Sequence, residues 1–161
     1  MSKTFRILTV CLGNICRSPL AEAIVRDHLE RAGIQALVDS AGTGNWHVGQ
    51  APDKRAIRAA KENNIDIDQL RARQFTQHDF ERFDLIFAMD RTNFSDIIAL
   101  ARSAEERSKV HLFLEFAGSE SPLDVPDPYY GTQEDFYAVH DLLDAATTQA
   151  MHRLIPLAQG R

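Results

Sequence analysis

The sequence predicts an α/β fold, a parallel sheet covered by helices on both faces, built as a single domain over residues 1–161. Three observations carry this. Short apolar, β-branched runs alternate with helical periods along the chain, the pattern of strands joined by crossover helices. The first such run passes through a glycine-containing turn into a helix. A length of 161 residues supplies one hydrophobic core and is too short for two ordinary domains.

The elements follow in order. "FRILTVC", Phe5 to Cys11, reads as a buried strand. "PLAEAIVRDHLERAG" places Leu20, Ile24, Val25, Leu29 and Ala32 on one helical face, and Gly33 ends it. "QALVDSAG" is a second strand, and Pro52-Asp53 opens a helix with Ala56, Ile57, Ala59 and Ala60 inward. "FDLIFAMD" is the third strand, "NFSDIIALA" a helix and "KVHLFLEF" the fourth strand. Residues 118–131 are rich in Pro, Asp, Ser and Gly, too long and polar for a simple connection, and loops of that kind are often functional. A long final helix carries Phe136, Val139, Leu143, Ala146, Ala150 and Leu154 at helical spacing.

Composition narrows the function. The 44% hydrophobic and 25% charged fractions are those of a soluble protein, and no apolar run approaches the roughly 20 residues of a membrane span. The N-terminal apolar core is too short for a signal peptide, and two cysteines five positions apart make no secreted disulfide framework. A reducing cytoplasm is therefore expected. A formal net charge of -5 argues against general nucleic-acid binding, so any anion site is local. The six histidines show no metal-ligand spacing with either cysteine and read as surface or helix residues; no metal or cofactor is expected.

Between the first strand and helix lies "VCLGNICRSPLAE". In open parallel sheets ligands bind beyond the carboxyl ends of strands, where this stretch lies. Gly13 and Asn14 tolerate positive φ, letting the loop curl into a nest of inward N–H groups, to which the helix adds its positive end. Ser18 before Pro19 fits an N-cap followed by the first helical position. Arg17, separated from Cys11 by five residues, can fork onto an oxyanion and favour a thiolate at Cys11. There is neither G-x-G-x-x-G nor G-K-[ST], so the loop suits group transfer, not nucleotide storage.

The stretch resembles the V-C-x-G-N-x-C-R-S-P signature of the low-molecular-weight protein tyrosine phosphatases, matched at every fixed position from Val10 to Pro19. The likeness continues through "DSAGTGNWHVGQAPDKRA", "ARQFTQHDFERFDLIFAMD" and "DVPDPYYG". The resemblance implies a four-stranded parallel sheet and attack on phosphorus by Cys11. It further implies that Arg17 and the loop from Leu12, Gly13, Asn14 and Ile15 to Cys16 bind phosphate, that Ser18 assists the thiolate, and that Asp127 is the general acid. The chemistry asks for an acid independently, since a leaving phenolate departs more easily when protonated, and Asp127 lies between two prolines that restrict its backbone. Trp46, Tyr129 and Tyr130 are expected to wall a slot for a phenyl ring. The substrate is then a tyrosine-phosphorylated protein or an aryl phosphate, handled by a monomer.

One position departs from the family. Many relatives carry a histidine that bonds the loop asparagine, whereas this chain has Leu70 before "RARQ", so Asn14 is expected to rely on Ser40, Ser18 and backbone groups. Cys16 is read as a partner able to trap an oxidised Cys11 as a disulfide. Two alternatives are arsenate reduction on the same fold, and a phosphate-binding or redox-sensing module without turnover.

Overall fold

The computed structural model describes residues 4–160; the reading of the extreme N-terminus falls partly on residues 1–3, outside that range. Four parallel strands, β1 (Phe5–Cys11), β2 (Ala36–Gly42), β3 (Leu85–Ala88) and β4 (Val110–Leu112), form one sheet in the order β2-β1-β3-β4. The chain leaves β1 to one side for β2 and returns on the other for β3. A crevice therefore opens at the carboxyl end of β1, the position where such sheets bind ligands.

Strand pleating divides the core. Ile7 and Cys11 of β1, with Leu85 and Phe87 of β3, join one apolar cluster. Leu8 and Val10, with Ile86 and Ala88, join the other. Burial on both faces explains why these strands read as continuous apolar runs. The first face is covered by α1 (Arg17–Arg31), α2 (Lys54–Glu62) and α7 (Gln133–Ala158), with α7 packed mainly on α1 and α2. The second face is covered chiefly by α4 (Arg91–Leu100) and the short α3 (Asp79–Arg82). Two further short helices, α5 (Ala104–Ser108) and α6 (Phe113–Phe116), flank β4.

The helix ends follow local chemistry. Gly33 adopts φ +73, and the N–H groups of Gly33 and Ile34 close on Glu30 O at 3.0 Å and Leu29 O at 2.9 Å, a Schellman stop. Asp53 and Asp90 cap α2 and α4 by accepting from Arg55 N and Asn93 N. At the start of α7 the Asp135 carboxylate reaches back to the Thr132 N–H at 2.8 Å.

Three expectations need correction. The strand read over "KVHLFLEF" stops at Leu112, and Phe113 to Phe116 turn as α6, burying Phe113, Leu114 and Phe116. Ala32 is exposed, because the helix has already reached its stop. Ser18 is not the cap of α1: Cys16 occupies that position, and Arg17 and Ser18 are already helical. Pro19 thus falls at the third helical position, where its N–H would still lack an intrahelical partner. Among the described residues no helix is long and apolar enough to cross a membrane.

Candidate active site

Cys11 ends β1 with only 2% of its surface exposed, beneath the loop that leads into α1. Its Sγ lies 3.0 Å from Ser18 Oγ. Asn14 Nδ2 donates into that same Oγ at 2.8 Å, so the hydroxyl hydrogen is directed to Sγ or to the more distant Ala41 O at 3.4 Å. The capping role is lost because this hydroxyl serves the sulfur.

The loop is held by one strained residue whose side-chain polar atoms are all engaged. Asn14 has φ 58, the left-handed region that asparagine tolerates better than most residues. Its Nδ2 donates to Ser18 Oγ and to Ser40 Oγ at 2.9 Å, and its Oδ1 accepts from Arg73 N at 3.0 Å. Ser40 in turn donates to Glu22 at 2.7 Å, and Arg26 pairs with the other Glu22 oxygen. Burial pushes the Glu22 carboxyl up, against the opposing pull of Ser40 and Arg26. Asn14 thus holds its conformation without a histidine at position 70; Leu70 instead packs at the margin of the core. Gly42 permits the close approach of β2, since a Cβ there would meet Leu12 O at 2.7 Å.

In the loop that follows Cys11, the backbone N–H groups from Leu12 to Arg17 take no acceptor among the described residues. Such a run of free donors at the start of a helix is an anion nest. Arg17, 3% exposed, crosses this space: Nη1 donates to Asp90 at 2.6 Å and to Val125 O at 3.1 Å, and Nη2 stands 3.7 Å from Asp127. Burial opposes its charge, but Cys11, Asp90 and Asp127 outweigh that, and its pKa is raised. Asp90 does two tasks, since its other oxygen caps α4 at 2.7 Å from Asn93 N.

Leu12, Gly13, Ile15, Cys16, Arg17, Trp46, His47, Asp127, Tyr129 and Tyr130 enclose a cavity of about 340 Å³. A larger one, about 630 Å³, lies at the opposite end of the sheet against Phe5, Ile34 and Leu157. Among the described residues it holds no cysteine, arginine or free loop N–H run, so the smaller is the candidate site. Trp46 (67% exposed) and Tyr130 (95%) stand at the rim, while Tyr129 lies edge-on to Tyr130 and 6.2 Å from the His47 ring. Cys16 is buried, and burial, then Asp53, Cys11 and Asp127, hold its thiol well above the usual range. Both cysteines are free thiols.

The cavity gathers Leu12, Gly13, Ile15, Cys16, Arg17, Trp46, Asp127, Tyr129 and Tyr130, while Cys11, Asn14 and Ser18 form a hydrogen-bonded group in the same loop. Sequence reasoning missed His47, Asp90, Asp53 and Arg55. Asp90 had a signal, its place just beyond a parallel strand. His47 adjoins Trp46, yet was grouped with surface histidines. His140 is a helix residue, in α7, but a buried one: it is 2% exposed, with neither ring nitrogen partnered. Among the described residues no group of three or more His, Cys, Asp or Glu could hold a metal ion.

The family model for low molecular weight phosphotyrosine protein phosphatase matches residues 6–157. A relative of that name in Schizosaccharomyces pombe is 46% identical over 139 residues, which cover 84% of this chain and 88% of that protein. A low molecular weight protein-tyrosine-phosphatase of Streptomyces coelicolor is 40% identical over 162 residues, covering 98% of each chain. Among solved structures, a protein tyrosine phosphatase from Entamoeba histolytica, crystallised with Hepes in its active site, superposes with a TM-score of 0.88 at 34% identity, covering 98% of this chain and 99% of that one.

Proposed function

The chain belongs to the low-molecular-weight phosphotyrosine protein phosphatase family, and from that premise we propose that it hydrolyses aryl phosphates, tyrosine-phosphorylated protein foremost, through a cysteinyl-phosphate. The observation that carries this reading is the buried Cys11 thiol, 3.0 Å from Ser18 Oγ, at the start of a loop whose N–H groups are free and whose Arg17 stands 3.7 Å from Asp127.

Each step has its residue. The dianionic phosphate is held by the N–H groups of Leu12 to Cys16 and by Arg17, whose planar fork matches two oxygens. Ser18 donates to the Cys11 thiolate. The thiolate attacks phosphorus, and Asp127 gives its proton to the departing phenolate, an effect worth about 10²–10⁴ in rate. Asp127, now ionised, takes a proton from the water that attacks the cysteinyl-phosphate, releasing phosphate and restoring both groups. Trp46, His47 and Tyr129 wall the slot, and a buried Cys11 thiol, 2% exposed, suits the long phosphotyrosine side chain better than phosphoserine.

Cys16 adds oxidative protection to this reading. Peroxide converts the Cys11 thiolate to a sulfenic acid; Cys16 sulfur then bonds to it, and water leaves. Two free thiols suit a reducing compartment. A third cysteine for a thiol relay in arsenate reduction is absent from the sequence.

The test is metal-free hydrolysis of para-nitrophenyl phosphate against pH. Cys11→Ser should abolish it, and Asp127→Ala should lower kcat/KM by about 10²–10⁴ and flatten the basic limb. An inactive unaltered protein, reduced beforehand, overturns the reading.

A further inference from the structure

The acid-bearing loop is anchored on both sides of Asp127, by different means. On the upstream side Val125 N–H donates to Met89 O at 2.8 Å, Val125 O accepts from Arg17, and Asp124 accepts from Arg91 N at 2.9 Å. On the downstream side two carbonyls are taken by a single side chain. Arg55 Nη2 donates to Tyr129 O at 2.9 Å, and Nη1 to Gly131 O at 2.9 Å.

Arg55 is itself locked. Asp53 accepts from its Nε at 3.0 Å and Nη2 at 2.9 Å, and the guanidinium lies 4.4 Å above the Phe136 ring. Burial alone would raise the Asp53 carboxyl, but the bonds from Arg55 outweigh it and hold it low. Asp53 also reaches the other side of the site, because its N–H donates to Ile15 O of the phosphate loop at 2.8 Å. Tyr129, whose carbonyl Arg55 holds, turns its N–H to Asp127 Oδ1 at 3.1 Å. A continuous path thus runs from Ile15 through Asp53, Arg55 and Tyr129 to Asp127.

We propose that Arg55, oriented by Asp53, is a positioning residue that fixes Asp127 relative to the phosphate loop and so sets the efficiency of proton transfer to the leaving group. The inference rests on the phosphatase reading above and extends it to a residue outside the cavity. Only arginine suits the position, because five N–H donors in a rigid plane serve one carboxylate and two carbonyls together. Lysine offers a single point of attachment.

The proposal is tested by comparing two substrates. Phenyl phosphate has a leaving group that needs a proton; 2,4-dinitrophenyl phosphate has one that leaves unprotonated. Arg55→Lys and Arg55→Ala should each lower kcat/KM for phenyl phosphate by about 10- to 100-fold while changing that for the dinitrophenyl ester less than about threefold. Competitive inhibition by inorganic phosphate should stay within about threefold, reporting an intact phosphate loop. In an Asp127→Ala background the Arg55 changes should add less than about threefold for phenyl phosphate, since the group they position is gone. Arg55→Lys keeps the stem and the charge, so it serves where Arg55→Ala fails to fold. Equal losses on both substrates, or a full further loss in the Asp127→Ala background, overturn the proposal. So does an unaffected Arg55→Lys and Arg55→Ala pair in a chain whose hydrolysis depends on Cys11 and Asp127, an outcome that leaves the phosphatase reading standing. An inactive unaltered chain overturns both.

Discussion

The two loops that meet at the cavity, residues 12–17 and the loop carrying Asp127, are fixed in opposite ways. The phosphate loop is short and mostly buried, and it is held from within by Asn14, which bonds Ser18, Ser40 and the Arg73 backbone. The acid loop is long and mostly exposed, with Val125 and Pro128 buried, and it is held from outside by Arg17, Arg91 and Arg55. The division matches the chemistry. An anion nest loses its donors if any peptide turns, so it is built on a left-handed residue that local bonding over-determines. An acid must reach substrates of varied shape, and a loop tied by its carbonyls holds a carboxylate while leaving the neighbouring rings free to contact them.

The comparison breaks most visibly at Arg17, the one residue that serves both loops. Arg17→Lys should lower kcat/KM for para-nitrophenyl phosphate about 10²–10³-fold and weaken competitive inhibition by inorganic phosphate. Unchanged phosphate inhibition would mean that Arg17 ties the loops together without holding the anion. A smaller effect separates bonding from backbone strain in the phosphate loop. Asn14→Ala leaves two hydroxyls and one N–H short of a partner and puts alanine, which tolerates the left-handed region less well than asparagine, at positive φ, so urea unfolding should show a loss of about 2–4 kcal/mol. Asn14→Gly should recover only about 1 kcal/mol of that, because it relieves strain and restores no hydrogen bond. Near-complete recovery would show strain, not the network, to be the controlling term.

The smallest effect concerns the scaffold behind both loops. His140, on α7, is buried with both nitrogens unpartnered, and burial lowers its pKa against the opposite pull of Asp144 and Asp141 on its own helix. On the facing helix α1, His28 pairs with Asp144 at 2.7 Å. The folded state thus keeps His140 neutral, while the unfolded chain protonates it near pH 6.5. Its contribution to stability is complete above that pH and is lost as pH falls toward the lower folded value. His111, also lowered, first by burial and then by Arg153, acts with the same sign. His140→Leu should therefore stabilise the fold at pH 7.5 by about 1 kcal/mol and flatten, without abolishing, the fall in melting temperature between pH 6.5 and pH 5. Glu22, raised by burial, acts in the opposite direction but is common to both proteins. Identical slopes would exclude His140 as a source of acid lability. The curve also separates scaffold loosening from any acidic limb in the rate.

Much of this was legible in sequence because it is local. β1, α1, its Gly33 stop and the helix opened by Pro52-Asp53 depend on neighbours a few residues away, and a strand passing through Gly13 and Asn14 into a helix favours an anion nest. The errors have the same origin. Ser18 reads as a cap because the alternative claim on its hydroxyl, the Cys11 sulfur, becomes visible only when β1 and α1 lie side by side. Phe113 to Phe116 read as strand because apolar runs do not distinguish a strand from one buried helical turn.

The sequence by itself determined the element order and the loop from Cys11 to Arg17, since these rest on periodicity and turn chemistry within short windows, whereas the acid role of Asp127 was read from the family resemblance. Tertiary structure alone decided what holds them in register. Arg17 meets Asp90 73 positions away, and Arg55 meets Tyr129 74 positions away, and no local pattern marks such partners. The physical reason is that a buried or shared guanidinium is stabilised by whichever carboxylates and carbonyls the fold carries to it, and that is a property of the packed chain.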